Sequence, residues 1–212
     1  MKISQTEAPD RITLRTTATS PYGRKTRIAV LVHGLADAID IVPADTLDES
    51  DSLRLQNPLG KMPCLLLPDG RVMFDSRVIV EYLDSISQRA PLIPASGAER
   101  LDILTAASLC DGLTDAALLM VYEHRFREPE QVSSRYLAHQ QGKVERALAA
   151  LSAAPPRADH TDVVSIGLAC ALAYLDWRKP VSWRKEHPVL VNWLAAFAVH
   201  EPAFEQTRAP DT

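Results

Sequence analysis

Between residues 57 and 83 the polarity pattern changes its period within a few positions. Two short apolar runs, residues 64–67 and 72–74, are separated by Pro68, Asp69 and Gly70. That is turn chemistry between two strands, and it predicts a hairpin. Asp75 and Ser76 follow, both residue types that cap helices. Val78, Ile79, Tyr82, Leu83 and Ile86 then recur at helical spacing, so a helix should leave the hairpin directly. Pro63 stands just before the first strand. Proline cannot donate to a ladder, so Met62-Pro63 marks an edge position or a cis bond.

The same reading extends to both ends. Residues 12–17 are β-rich and alternate, which predicts a strand. Ser20 and Pro21 open a helix reaching about His33, with Ile28, Leu31, Val32 and Leu35 as its apolar set and Gly34 at its end. Residues 38–43 predict a second strand, and residues 45–56 are polar with room for one short helix. The order β-α-β-α-β-β-α, a parallel pair followed by an antiparallel hairpin, predicts a thioredoxin-like α/β domain over residues 1–87. Pro91, Pro94 and Gly97 mark residues 88–97 as a linker. Residues 98–212 show no strand pattern. Helices are expected over 98–125 and 132–151, then from a cap at Asp162 to Trp177, then over 188–199. The third of these is apolar on nearly every side and belongs in the middle of a bundle. The fold class is therefore an α/β thioredoxin-like N-terminal domain plus an all-α helical C-terminal domain.

Composition narrows the partners. The formal charge of −4 argues against a dedicated nucleic-acid binder, which carries a basic excess. The longest apolar run, residues 163–175, is broken by Ser165 and too short to span a membrane, and the N-terminus lacks a signal-peptide apolar region. Cys64, Cys110 and Cys170 are odd in number and widely spaced, with neither a CxxC nor a zinc pattern. The His residues are scattered, so no metal site is expected. A reducing cytoplasm suits this cysteine usage.

Ser20 is the first residue with chemical potential. Ser before Pro at a helix start is a capping signal in its own right. The same geometry could serve a thiolate, because a helix N-terminus offers free N–H groups and partial positive charge. An ordinary thiol has a pKa of about 8.5, and lowering it by about two units requires roughly 2.7 kcal/mol of preference for the anion. One charge-assisted hydrogen bond contributes about 1.5–3 kcal/mol, and a helix end about 0.3–1 kcal/mol. One hydroxyl at one helix end is enough.

Asn57, Pro58, Gly60, Lys61, Met62, Pro63, Leu65, Asp75 and Ser76, with the hairpin between them, resemble the N-terminal domain of glutathione S-transferases. Ser20-Pro21-Tyr22-Gly23 looks like the C-P-Y-C site of glutaredoxins with both cysteines replaced, so a dithiol cycle cannot run there and the sulfur must come from the substrate. The chain thus looks most like a bacterial, serine-type subgroup of the family. The resemblance implies glutathione as co-substrate, Ser20 as the catalytic thiolate stabiliser with Thr19 as its competitor, and backbone pairing of glutathione with Met62 beside Pro63. It also implies that Ser76 holds the γ-glutamyl carboxylate and Asp75 the ammonium, although most members carry Glu or Gln at that place. A cytoplasmic homodimer that attacks small electrophiles, as in detoxification, is the expectation.

The remaining candidates are weaker. Tyr22, Cys110, Thr114 and Tyr122 could wall a second-substrate pocket. Asp111 and Asp115 flank Gly112 and form either a solvated face or a face toward a cleft or partner. Cys64, inside a strand, reads as inert. Asp162 and Ser165 read as a capping box with residue types exchanged. Two other functions stay open: a non-catalytic binding module on this fold, and a glutathione-dependent dehalogenase or isomerase. A disulfide reductase would need a cysteine at position 20.

Overall fold

The computed structural model describes residues 8–210. Its elements run β1 (Ile12–Arg15), α1 (Pro21–Val32), β2 (Ile39–Val42), α2 (Leu53–Gln56), β3 (Cys64–Leu66), β4 (Val72–Phe74), α3 (Ser76–Ile86), α4 (Gly97–Arg125), α5 (Ser134–Ala153), α6 (Val163–Arg178), α7 (Pro188–His200) and α8 (Pro202–Gln206). One compact unit runs to Ile93 and takes in the segment from Ala203 onward; the other is Pro94–Pro202.

In the first unit the strands form one sheet in the order β2-β1-β3-β4. β1 pairs parallel with β2 and antiparallel with β3, and β3 pairs antiparallel with β4. The hairpin closes through Gly70 N–H to the Leu67 carbonyl at 2.9 Å, with Gly70 at φ +81° where a side chain would be strained. α1 ends in a Schellman motif: Gly34 N–H donates to Leu31 O and Leu35 N–H to Val30 O, both at 2.9 Å, with Gly34 at φ +68°. Alternation gives the sheet two faces. Cys64, Leu66 and Val72 pack with Ala44 and Leu53 of the α2 region on one; Leu14 and Leu65 point to the other and are fully buried.

Arg15 also points to the α2 face. Its guanidinium donates to Asp51 Oδ1 (2.7 Å), Gln56 Oε1 (2.7 Å), Ser52 Oγ (2.9 Å) and the Pro43 carbonyl. A buried cation is tolerated because each of these acceptors replaces water. At the opposite end of α1, His33 Nε2 lies 2.7 Å from Asp84 Oδ1, and the same carboxylate accepts from Leu92 N–H and Ile93 N–H, both at 2.9 Å. Asp84 thereby fixes residues that the sequence assigned to a linker.

The segment after Ala203 differs from expectation too. It packs in the first unit, where Arg24 donates to the Phe204 carbonyl (2.6 Å) and lies 4.1 Å over the Phe204 ring. Arg27 donates to the Thr207 carbonyl at 2.9 Å. These contacts are 180 residues apart in sequence, so no local pattern announces them.

In the second unit α4 packs most extensively on α6 and α5, and α7 on α6 and α5. α6 is buried along nearly its whole length, as its all-round apolar pattern requires. Asp162 accepts from Val164 and Ser165 N–H, both at 2.8 Å, while Ser165 Oγ accepts from Asp162 N–H at 2.9 Å. By length and composition α4 is long and apolar enough to cross a membrane, although charged residues interrupt its apolar runs; it packs chiefly on α5 and α6.

Candidate functional site

Strand register gathers the sequence-predicted residues of the first unit at one end of its sheet. Arg15 pairs with Cys64 and Cys64 with Phe74. The residues just beyond these pairs are Thr16 and Thr17 after β1, Met62 and Pro63 before β3, and Asp75 and Ser76 after β4. Antiparallel pairing brings them level.

Ser20 is the N-cap of α1, with φ −79° and ψ 121°. Its Oγ accepts from Gly23 N–H at 3.0 Å, which leaves the hydroxyl proton to be donated elsewhere. Thr19 is placed differently. Its hydroxyl lies 3.1 Å from Thr17 Oγ1, and Thr17 Oγ1 donates to Met62 Sδ at 3.4 Å. A short relay therefore runs from the loop before Ser20 to the residue before the special proline. Thr17 had no signal of its own in the sequence.

The Met62-Pro63 bond is cis. Asn57, almost fully buried, shapes the loop that delivers it: its side-chain amide donates to the Lys61 carbonyl at 2.7 Å and its Oδ1 accepts from Leu59 N–H at 3.0 Å. Met62 is half-buried and Pro63 buried.

Asp75 caps α3 from φ 73°, ψ 127°, a backbone region that a residue with a Cβ rarely enters. Its carboxylate accepts from Arg77 N–H (2.9 Å), Arg77 Nε (3.1 Å) and Arg77 Nη2 (3.1 Å). Burial works to raise the carboxyl, but the bonds and charge of Arg77, with the charge of buried Lys25, outweigh it and hold it below the ordinary carboxylate value. Ser76 is buried at the first helical position. A helix N-terminus flanked by an exposed carboxylate can receive a carboxylate and an ammonium side by side.

The other candidates fall elsewhere. Tyr22 is half-buried on α1. Cys110 and Thr114 are buried on α4; Cys110 Sγ is 3.8 Å from the Val164 carbonyl, and Thr114 donates to the Cys110 carbonyl at 3.0 Å. Asp111 is buried and Asp115 exposed. Burial pushes the Cys64 thiol up to about 12, with Arg15 opposing, so it stays protonated. Among the described residues no group of three or more His, Cys, Asp or Glu side chains could hold a metal ion.

Residues 19–86 match the family described as glutathione S-transferase, N-terminal domain. An uncharacterized GST-like protein, YibF, from Escherichia coli K12 is 30% identical over 198 residues, covering 91% of this chain and 96% of that protein. A crystal structure of a glutathione transferase family member from Pseudomonas fluorescens Pf-5, with bound glutathione, superposes with a TM-score of 0.88 at 39% identity, covering 94% of this chain and 99% of the other. Another, with bound S-(propanoic acid)-glutathione, gives 0.85 at 39% identity, covering 94% and 100%.

Proposed function

This chain belongs to the glutathione S-transferase family, and on that premise we propose that it activates the glutathione thiol for attack on an electrophilic small molecule. Ser20 stabilises the thiolate. Met62 pairs with the cysteinyl backbone beside Pro63, Ser76 at the start of α3 holds the γ-glutamyl carboxylate, and Asp75 holds the ammonium.

The observation that carries this reading is the Ser20 hydroxyl. It is held by Gly23 N–H as an acceptor and so has its proton to give. The thiol proton passes to solvent as the thiolate forms; the thiolate pair then makes a carbon–sulfur bond, while either a leaving group departs with its own pair or the electrophile's π bond breaks and its pair takes up a proton. The bound glutathione and glutathione conjugate in the Pseudomonas fluorescens relative support both the co-substrate and a small second substrate. Leu101, Leu109 and Leu119 are exposed on α4; burying them against a second copy supports a homodimer. A cytoplasmic place fits three cysteines that form no disulfide among the described residues.

Ultraviolet difference titration of bound glutathione tests the chemistry. The thiol should titrate well below its ordinary value in the wild type and return toward it in Ser20→Ala, while Thr19→Ala leaves it low. Glutathione that binds with an ordinary thiol would instead mark a binding module.

A further inference from the structure

Thr17 bonds to both sides of the site, with its backbone to one and its side chain to the other. Its carbonyl accepts from Ser20 N–H at 3.4 Å, which closes the turn that sets Ser20 at the head of α1. Its hydroxyl donates to Met62 Sδ at 3.4 Å, across 45 residues. A threonine hydroxyl has one proton. The Thr17 proton is on the sulfur side, so in the 3.1 Å contact between Thr17 Oγ1 and Thr19 Oγ1 the donor is Thr19. Donation therefore runs from Thr19 to Thr17 to Met62.

Met62 is a residue that needs such an anchor. Methionine is unbranched, with three rotatable bonds, and Met62 is only half-buried. Its backbone is held from the other side, by the cis bond to Pro63 and by Asn57, whose amide donates to the Lys61 carbonyl at 2.7 Å. Thr17 holds the far end of the side chain. A long side chain that must be ordered only when a ligand arrives lowers the affinity for that ligand.

Ser20 and Met62 act on two ends of one cysteinyl residue, its sulfur and its backbone. Thr17 is bonded to both. We propose that Thr17 is a positioning residue for glutathione: it sets the spacing between Ser20 and Met62 and so fixes the register of the cysteinyl residue between them. This role rests on the reading of Met62 as the residue that pairs with glutathione. Thr17 acts through Met62 and not on the sulfur. Thr19 gains a part as well, since its proton is directed at Thr17 and away from a thiolate.

Calorimetric titration of the full chain with glutathione and with S-methylglutathione tests it. Thr17→Val keeps the branched Cβ and the volume and removes the donor. It should weaken both ligands alike, by about two- to tenfold, the cost of ordering one long side chain on binding. Thr17→Ser keeps the donor and removes the methyl. It should bind like the wild type, which a merely packing role would not allow. In Met62→Leu no sulfur is left to accept, so adding Thr17→Val should change the affinity no further. The bound thiol should titrate as low in Thr17→Val as in the wild type, because the Ser20 hydroxyl and the Thr17 carbonyl remain. Ser20→Ala, by contrast, should weaken glutathione and spare S-methylglutathione, which has no thiol to ionise. The proposal is overturned by a Thr17→Val variant that binds both ligands like the wild type, by a Thr17→Ser variant as weak as Thr17→Val, or by an equal loss in the Met62→Leu background. An ordinary bound thiol with the affinity changes intact would count against Ser20 and uphold Thr17. A wild type that binds neither ligand would remove both.

Discussion

Thr16 Oγ1 stands 1.8 Å from the point where a Cβ at Gly23 would be. Thr16 is almost fully buried, and its own Cβ is 3.1 Å from that point, so neither atom has room to yield cheaply. Where the resemblance to a dithiol site places the second cysteine, this chain has Gly23, and a threonine from the preceding strand end fills the space beside it. Residue type and volume both stand against a dithiol pair there.

Gly23→Ala should therefore destabilise, although alanine is the better helix former by about 1 kcal/mol. An overpacking cost of about 1–3 kcal/mol is expected. Thr16→Ala in the same chain should recover most of it. A double-mutant cycle by urea denaturation that shows additive effects would remove the steric account.

The Arg15–Asp51 pair predicts an acid-sensitive fold. Burial works to raise the Asp51 carboxyl, but hydrogen bonds from Asp45 N–H, Leu53 N–H and Arg15 hold it below its ordinary 3.8. A depressed carboxyl contributes stability above its unfolded pKa and loses it as pH falls through the folded one. Asp51→Asn should lower stability at pH 7 by about 3 kcal/mol, the low end for breaking a buried pair because Arg15 keeps other acceptors. The gap in melting temperature between variant and wild type should narrow below about pH 4. A gap that is constant with pH would mean the charge is not what matters.

Asp84 gathers a ring nitrogen and two backbone N–H groups on one carboxylate. Asp84→Ala leaves those groups without their acceptor and should cost at least about 3 kcal/mol, taking about 1 kcal/mol or more for each. Asp84→Asn keeps one oxygen and should cost less. Equal losses in the two variants, measured by denaturation midpoint, would show that packing rather than hydrogen bonding sets the effect.

Asp75 offers a test that separates stability from binding. Glycine occupies its positive φ without strain, and Asp→Gly at a cap costs only a few tenths of a kcal/mol. Asp75→Gly should therefore keep stability within about 1 kcal/mol of wild type, because relieved strain offsets the added backbone freedom. Glutathione affinity should fall by about tenfold or more with the lost charge-assisted contact. An affinity unchanged in calorimetry would remove Asp75 from the ammonium role.

The three cysteines are all buried, and the Cys64 thiol is held up near 12. A thiol reagent at pH 7–8 should modify the native chain only at the rate at which it opens. A fast-reacting equivalent in stopped-flow labelling would contradict the burial.

The hairpin and the caps at Ser20, Asp75 and Asp162 were legible because capping and turn chemistry act within four residues. The linker was read less well: its polar, proline-rich composition gave no hint that Leu92 and Ile93 hang from Asp84. Thr16 and Thr17 look like ordinary strand-end threonines. Thr17 reaches Met62 through pairing across 45 residues, which no local window contains, and Thr16 meets Gly23 only once the chain turns from the strand end into α1. Arg77 likewise reads as a surface residue, yet it occupies the carboxylate expected to meet the ammonium.

Phe204 and Thr207 complete a unit whose other residues end at Ile93. During synthesis, then, the α/β unit emerges from the ribosome first but waits for α8 until the whole helical unit has been translated. Until that moment the Arg24 guanidinium has neither the Phe204 carbonyl nor its ring. A fragment cut at residue 93 would be frozen in that state, and a peptide beginning at Ala203 supplied in trans is the piece it would lack.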